Sequence, residues 1–117
     1  MLRRTLDELG VAWADLAQLD AAALADSPNG SGAAWRAVIE AETRDAAERI
    51  ATMARIVGAH DRLVVTGGWC ASAAVLAAKR RLFGPLVVAD VAEAGTFGAA
   101  TLAARAAGAL GPADTLA

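Results

Sequence analysis

The sequence predicts an α/β domain: a small parallel sheet with helices on both faces, in the order α-β-α-β-α, behind an N-terminal helical segment. Three observations predict it. Two short β-branched runs, Leu63-Val-Val and Leu86-Val-Val, each end in turn-forming or small residues. A helical stretch of about the right length for a crossover lies between them, and strands joined in this way pair in parallel. The runs are apolar throughout rather than alternating, as expected of strands buried on both faces.

Taken in order, residues 2–9 read as a short helix ended by Gly10, and residues 12–25 as a second, carrying Trp13, Leu16, Leu19 and Leu24 among alanines. The acids Asp7, Asp15, Asp20 and Asp26 read as surface groups. Ser27-Pro-Asn-Gly-Ser-Gly32 is the clearest breaker cluster and separates this segment, residues 1–26, from the rest. Residues 33–57 form the longest predicted helix, with Val38, Ile39, Ala46, Ile50, Met53, Ala54 and Val57 near a 3.6-residue period. Glu40 with Arg44, and Asp45 with Arg49, add acid-first pairs at i, i+4. Gly58 is the predicted stop. A strand at 62–66, a helix at 71–82, a Gly84-Pro85 turn, a strand at 86–89, a helix at 94–107 and a frayed tail from Gly111 complete the order. One domain is expected, with residues 33–109 as its main body and 110–117 as its tail. A sheet of two strands leaves edges that need cover. Self-association into a homodimer, or a larger parent chain, would supply it.

The composition excludes several classes. The chain has 117 residues, of which 56% are apolar, and a net charge of −2. Much of the apolar share is alanine, which favours helix but adds little area per residue. The large anchors are therefore few, and Trp13, Trp35 and Trp69 stand out. Short basic clusters at Arg3-Arg4 and Lys79-Arg80-Arg81 read as solvated helix faces, and no basic stripe points to nucleic acid. The single cysteine, Cys70, rules out an internal disulfide framework. No signal-like or membrane-spanning run is present, so a soluble, cytoplasmic chain is expected.

The segment with chemical promise is Leu63-Val-Val-Thr-Gly-Gly-Trp-Cys-Ala-Ser72, a strand running through paired glycines into a helix. Glycines there let a backbone approach a ligand closely. The free amides and dipole of the following helix favour phosphate. It contains neither GxxxxGK[ST] nor GxGxxG, so the residues alone read equally as an ordinary tight turn or as a phosphate-proximal loop. Cys70 with His60 makes a poor catalytic pair, because the strand separates them by roughly 15 Å. One Cys and one His make no metal cluster.

The order of V-T-G-G-x-x-x-S, a helix, G-P-L-V-V, and E-A-G-T-F-G-A-A-T-L-A-A-R-A-A-G resembles the closing part of FGGY-family carbohydrate kinases. W-R-A-V-I-E-A at 35–41 is similar to the helix that precedes the family's nucleotide strand. The resemblance spans about residues 34–109. It implies part of an actin-like ATPase (ribonuclease-H-like) lobe, and ATP, with Mg²⁺ in the complete enzyme, as cofactor. It implies that Gly67 and Gly68 face the ATP phosphates, that Ser72 meets adenine or ribose, and that Ala71 lines the same wall. Glu93 matches a recurrent acid whose role is either ligand contact or helix-start stabilisation. Gly98 and Ala99 would allow close helix packing.

The chain also departs from the family. Trp69 and Cys70 stand where small residues are common, and Trp69 would stack on adenine, obstruct the pocket, or bury itself against the neighbouring helix. The 27–32 loop is short. Residues 1–33 hold neither a DxGT-type phosphate loop nor a convincing catalytic aspartate. The resemblance thus implies the nucleotide-binding fragment of a sugar or polyol kinase, inactive alone, with an N-terminal kinase lobe or parent chain as partner. The alternative is a non-catalytic, stand-alone nucleotide-binding or self-assembly module of the same origin.

Overall fold

Alanine and leucine dominate the first third of the chain, and the result there is helix. A computed structural model describes residues 1–91, 93–114 and 116. Helix α1 (Leu2–Glu8) buries Leu2, Thr5 and Leu6, which its turn brings onto one face. A 3₁₀ turn, Trp13–Asp15, leads into α2 (Leu16–Leu24), which buries Leu16, Leu19, Asp20 and Ala23. Helix α3 (Ser31–Val57) is the longest and buries Gly32, Trp35, Ile39 and Thr43, all in its first half. It stops at Gly58, whose N–H donates to the Ala54 carbonyl at 3.0 Å, as the sequence predicts. Strand β1 (Val64–Val65), α4 (Ala73–Phe83), strand β2 (Val87–Val88) and α5 (Ala94–Ala106) follow.

The core belongs to α1, α2, the front of α3, and α4. Its members are Leu2, Leu6, Leu16, Leu19, Ala23, Trp35, Ile39, Ala74, Val75 and Ala78. The α2–α3 contact is close enough to require Gly32, since a Cβ there would lie 2.7 Å from the Ala22 carbonyl carbon. The 27–32 breaker therefore turns the chain without separating two bodies, and the N-terminal segment is half of the core.

β1 and β2 pair in parallel, Val64 with Val87 and Val65 with Val88. Val87 N–H donates to the Leu63 carbonyl and Ala89 N–H to the Val65 carbonyl, both at 2.9 Å. The β1–α4–β2 crossover is thus as predicted. The fold class is not. Among the described residues helix holds 65% and strand 4%, so this is a mainly helical protein carrying one minimal β-α-β unit, and not an α/β actin-like lobe. The reason is physical. Each strand is two residues long, and none of the four valines joins the core: Val64, Val87 and Val88 are exposed and Val65 is half-buried, so the sheet organises no core around it.

The chain is also drawn out. Its radius of gyration is 17.4 Å, with extents of 55 × 35 × 21 Å. A compact chain of this length would have a radius of about 13 Å. The expected frayed tail instead folds back in part. Arg105 donates to the Asp114 carbonyl at 2.6 Å, and Gly111 N–H donates to the Asp114 carboxylate at 2.9 Å. Positions 115 and 117 of that tail lie outside the described residues.

Candidate functional site at the Gly67-Gly68 turn

After β1 the backbone must reverse its course to enter α4, and Gly67 makes the change at φ 96°, a region costly for any residue with a side chain. Gly68–Ala71 then form a 3₁₀ turn. Cys70 N–H donates to the Gly67 carbonyl at 3.0 Å and Ser72 N–H to the Trp69 carbonyl at 3.1 Å, which fixes the loop. Gly67, Gly68 and Ala71 are exposed. A Cβ built on either glycine meets nothing within 4 Å, so the turn opens onto free space.

Ser72 lies elsewhere. It is fully buried, and it caps α4 by accepting from Val75 N–H at 3.2 Å. Its hydroxyl donates to Asp20 Oδ1 at 2.9 Å. Both its hydrogen-bonding capacities are thus directed into the protein, away from the open side of the turn. The structure brings Gly67, Gly68 and Ala71 together at the surface and assigns Ser72 to the core.

Asp20 is the residue that the sequence reading misplaced. It is 3% exposed, and it accepts from Trp35 Nε1 at 2.9 Å as well as from Ser72. One carboxylate oxygen therefore ties α2 to α3 and to the start of α4. Burying a carboxylate is costly unless donors replace water, and these two donors do so. The signal was available: Asp20 shares a helix face with Leu16 and Ala23, four and three residues away.

Trp69 packs against that same centre. Its ring lies 5.8 Å from Trp35 and 5.0 Å from Trp13, the latter pair edge-on at 60°. Trp69 is half-buried: it packs against Trp35 of the neighbouring helix and also forms part of the wall of the cleft beside the turn. The turn is therefore anchored from behind by aromatic packing. Beside it runs a cleft of about 290 Å³ lined by Val65, Thr66, Trp69, Cys70, Leu76 and Lys79. The Lys79 ammonium sits 5.6 Å from the Phe83 ring centre and supplies the cleft's one positive charge.

The other expected positions stand apart from this site. Glu93 precedes α5 and caps it with its carbonyl, which accepts from Phe97 N–H at 2.9 Å, while its side chain makes no capping bond. Gly98 approaches nothing: a Cβ there meets no atom within 4 Å, so the expected close packing is absent. His60 lines a small apolar groove with Ile50, Met53 and Leu63, before β1, whereas Cys70 follows it. Among the described residues, no three His, Cys, Asp or Glu side chains gather as a metal site. Among them too, no helix is long and apolar enough to cross a membrane. No family model, curated protein or solved structure matches the chain.

Proposed function

We propose that this chain contributes a nucleotide-phosphate contact to an ATP-dependent carbohydrate kinase and is catalytically silent on its own. The observation that carries the reading is the open Gly67-Gly68 turn at the carboxyl end of β1, where parallel β-α-β units take ligands. The order of sequence pieces over 34–109 supports the same family. Such a role requires only the turn and the β-α-β unit, not a whole lobe inside this chain.

In this reading, the glycines leave room for a phosphate to approach the backbone. Thr66 and Lys79, in the adjoining cleft, offer a hydroxyl and an ammonium. ATP would bring Mg²⁺ on its own phosphates, and the missing part of the enzyme would bring the sugar pocket and the base. Phosphoryl transfer depends on positioning across a closed cleft, so one wall alone gives no turnover. A cytoplasmic setting goes with this reading, since it supplies ATP and keeps a lone thiol reduced.

Calorimetric titration with ATP and ADP at millimolar concentrations tests it. Binding is expected in the wild type and lost in Gly68→Val, whose Cβ meets no protein atom within 4 Å and whose branched side chain would occupy the space in front of the turn. Heat-silent titrations, or equal binding by Gly68→Val, would sink the proposal. Sugar-dependent ATP hydrolysis by the purified chain would refute its silence. The stand-alone module remains the second reading, favoured by one observation: the helical core closes without help, around Trp35 at 0% exposure.

A further inference from the structure

The helical face that forms the core at the front of α3 does not end where its cover ends. Trp35, Ile39 and Thr43 are buried. Continuing at the same spacing of three and four come Ala46, Ile50, Met53 and Val57. Met53 is 61% exposed and Val57 79%, and Ile56 beside them is 78% exposed. Elsewhere, the sheet too shows a bare face. Val65 looks into the cleft beneath α4, so its strand neighbour Val64 and the paired Val87 point the other way. They are 46% and 42% exposed, on a kind of sheet that is normally covered on both sides.

The quantity of bare surface is large. The chain exposes 7663 Å², about 1,700 Å² more than the roughly 5,900 Å² expected of a compact protein of 11.8 kDa. A standard interface covers about 800 Å² per partner, and obligate dimers cover more. That excess, spread over the whole drawn-out chain, is more than one standard interface covers on a partner.

We infer that this face is covered by a second copy of the chain, in a two-fold dimer that pairs the rear halves of α3 antiparallel. The stripe suits itself as a partner. With the axis between Ile50 and Met53, Ile50 lies opposite the second copy's Met53, and Ala46 opposite its Val57, so small residues face larger ones. Two-fold pairing of one patch with itself is the commonest closed assembly. The stripe carries no charge, and the net charge of −2 gives little repulsion between copies. The groove of about 160 Å³ formed by Ile50, Met53, Ala54, Val57, Gly58, His60 and Leu63 is a ready seat for one apolar side chain from the other copy. This inference is independent of the nucleotide reading, since none of these residues lines the Gly67-Gly68 cleft.

Sedimentation equilibrium over a hundredfold concentration range tests it, with three variants alongside. A dimer mass is expected for the wild type and for Leu24→Glu, which charges an exposed leucine beside the front half of α3. Met53→Glu and Val57→Glu should each shift the chain to monomer by at least tenfold in dissociation constant. Their far-ultraviolet circular dichroism and tryptophan emission should stay unchanged, because neither residue reaches the core. A monomeric wild type at the highest concentration would overturn the inference. So would a dimer that survives both charged variants, or an open-ended series of oligomers.

Discussion

The front and rear of α3 have the same helical repeat and different fates. At the front, Trp35 and Ile39 are closed over by α1, α2 and α4. At the rear, Met53 and Val57 face water. The difference lies in what the rest of the chain can bring. Leucines at 2, 6, 16 and 19 cover the front, while the sheet and α5, built mostly of alanine and short valine runs, add no residue to the core. α5 buries only Thr101. A helix can thus keep one pattern along its length while only part of it belongs to a core.

The sharpest test of this contrast is Trp35→Ala. It removes the largest buried side chain and should cost about 3–5 kcal/mol, much of a small domain's stability, read as a fall in urea midpoint. Asp20→Ala leaves the Trp35 and Ser72 donors buried without an acceptor and should cost about 2–4 kcal/mol. Asp20→Asn keeps an oxygen in place and should cost less than half of that. An equal loss for Asn and Ala would mean that charge, not acceptance, matters at this site. Gly32→Val forces α2 and α3 apart and should cost about 1–3 kcal/mol. At the small end, Ile56→Ala in dilute solution should change stability by no more than about 0.5 kcal/mol. A loss as large as that of Gly32→Val would erase the distinction between the two ends.

The sequence made the helices legible. Their apolar spacing, the Gly58 stop and the parallel crossover through α4 were all readable from residue order. The fold class was not. Two apolar runs suggest a sheet-centred domain, but they cannot show that each strand pairs over only two residues. Nor does periodicity show which stretch of a patterned helix will find cover. At the candidate site, the paired glycines stood out because few residues can take their place. Ser72 did not reveal its inward direction, since a serine before a helix serves equally as a cap and as a ligand contact. Asp20 was passed over because acids are usually solvated, although its place among Leu16, Leu19 and Ala23 marked the buried face.

Hydrogen exchange, measured residue by residue at low and at high protein concentration, separates the two halves of α3 most directly. Amides of α2, the first half of α3 and α4 should exchange slowly at both concentrations, as one cooperative unit. Amides from Ala46 to Val57 should exchange fast when dilute and slow markedly when concentrated. Uniform slow exchange along the whole of α3 in dilute solution would contradict this division, because it would mean that the rear half needs no second chain to hold it.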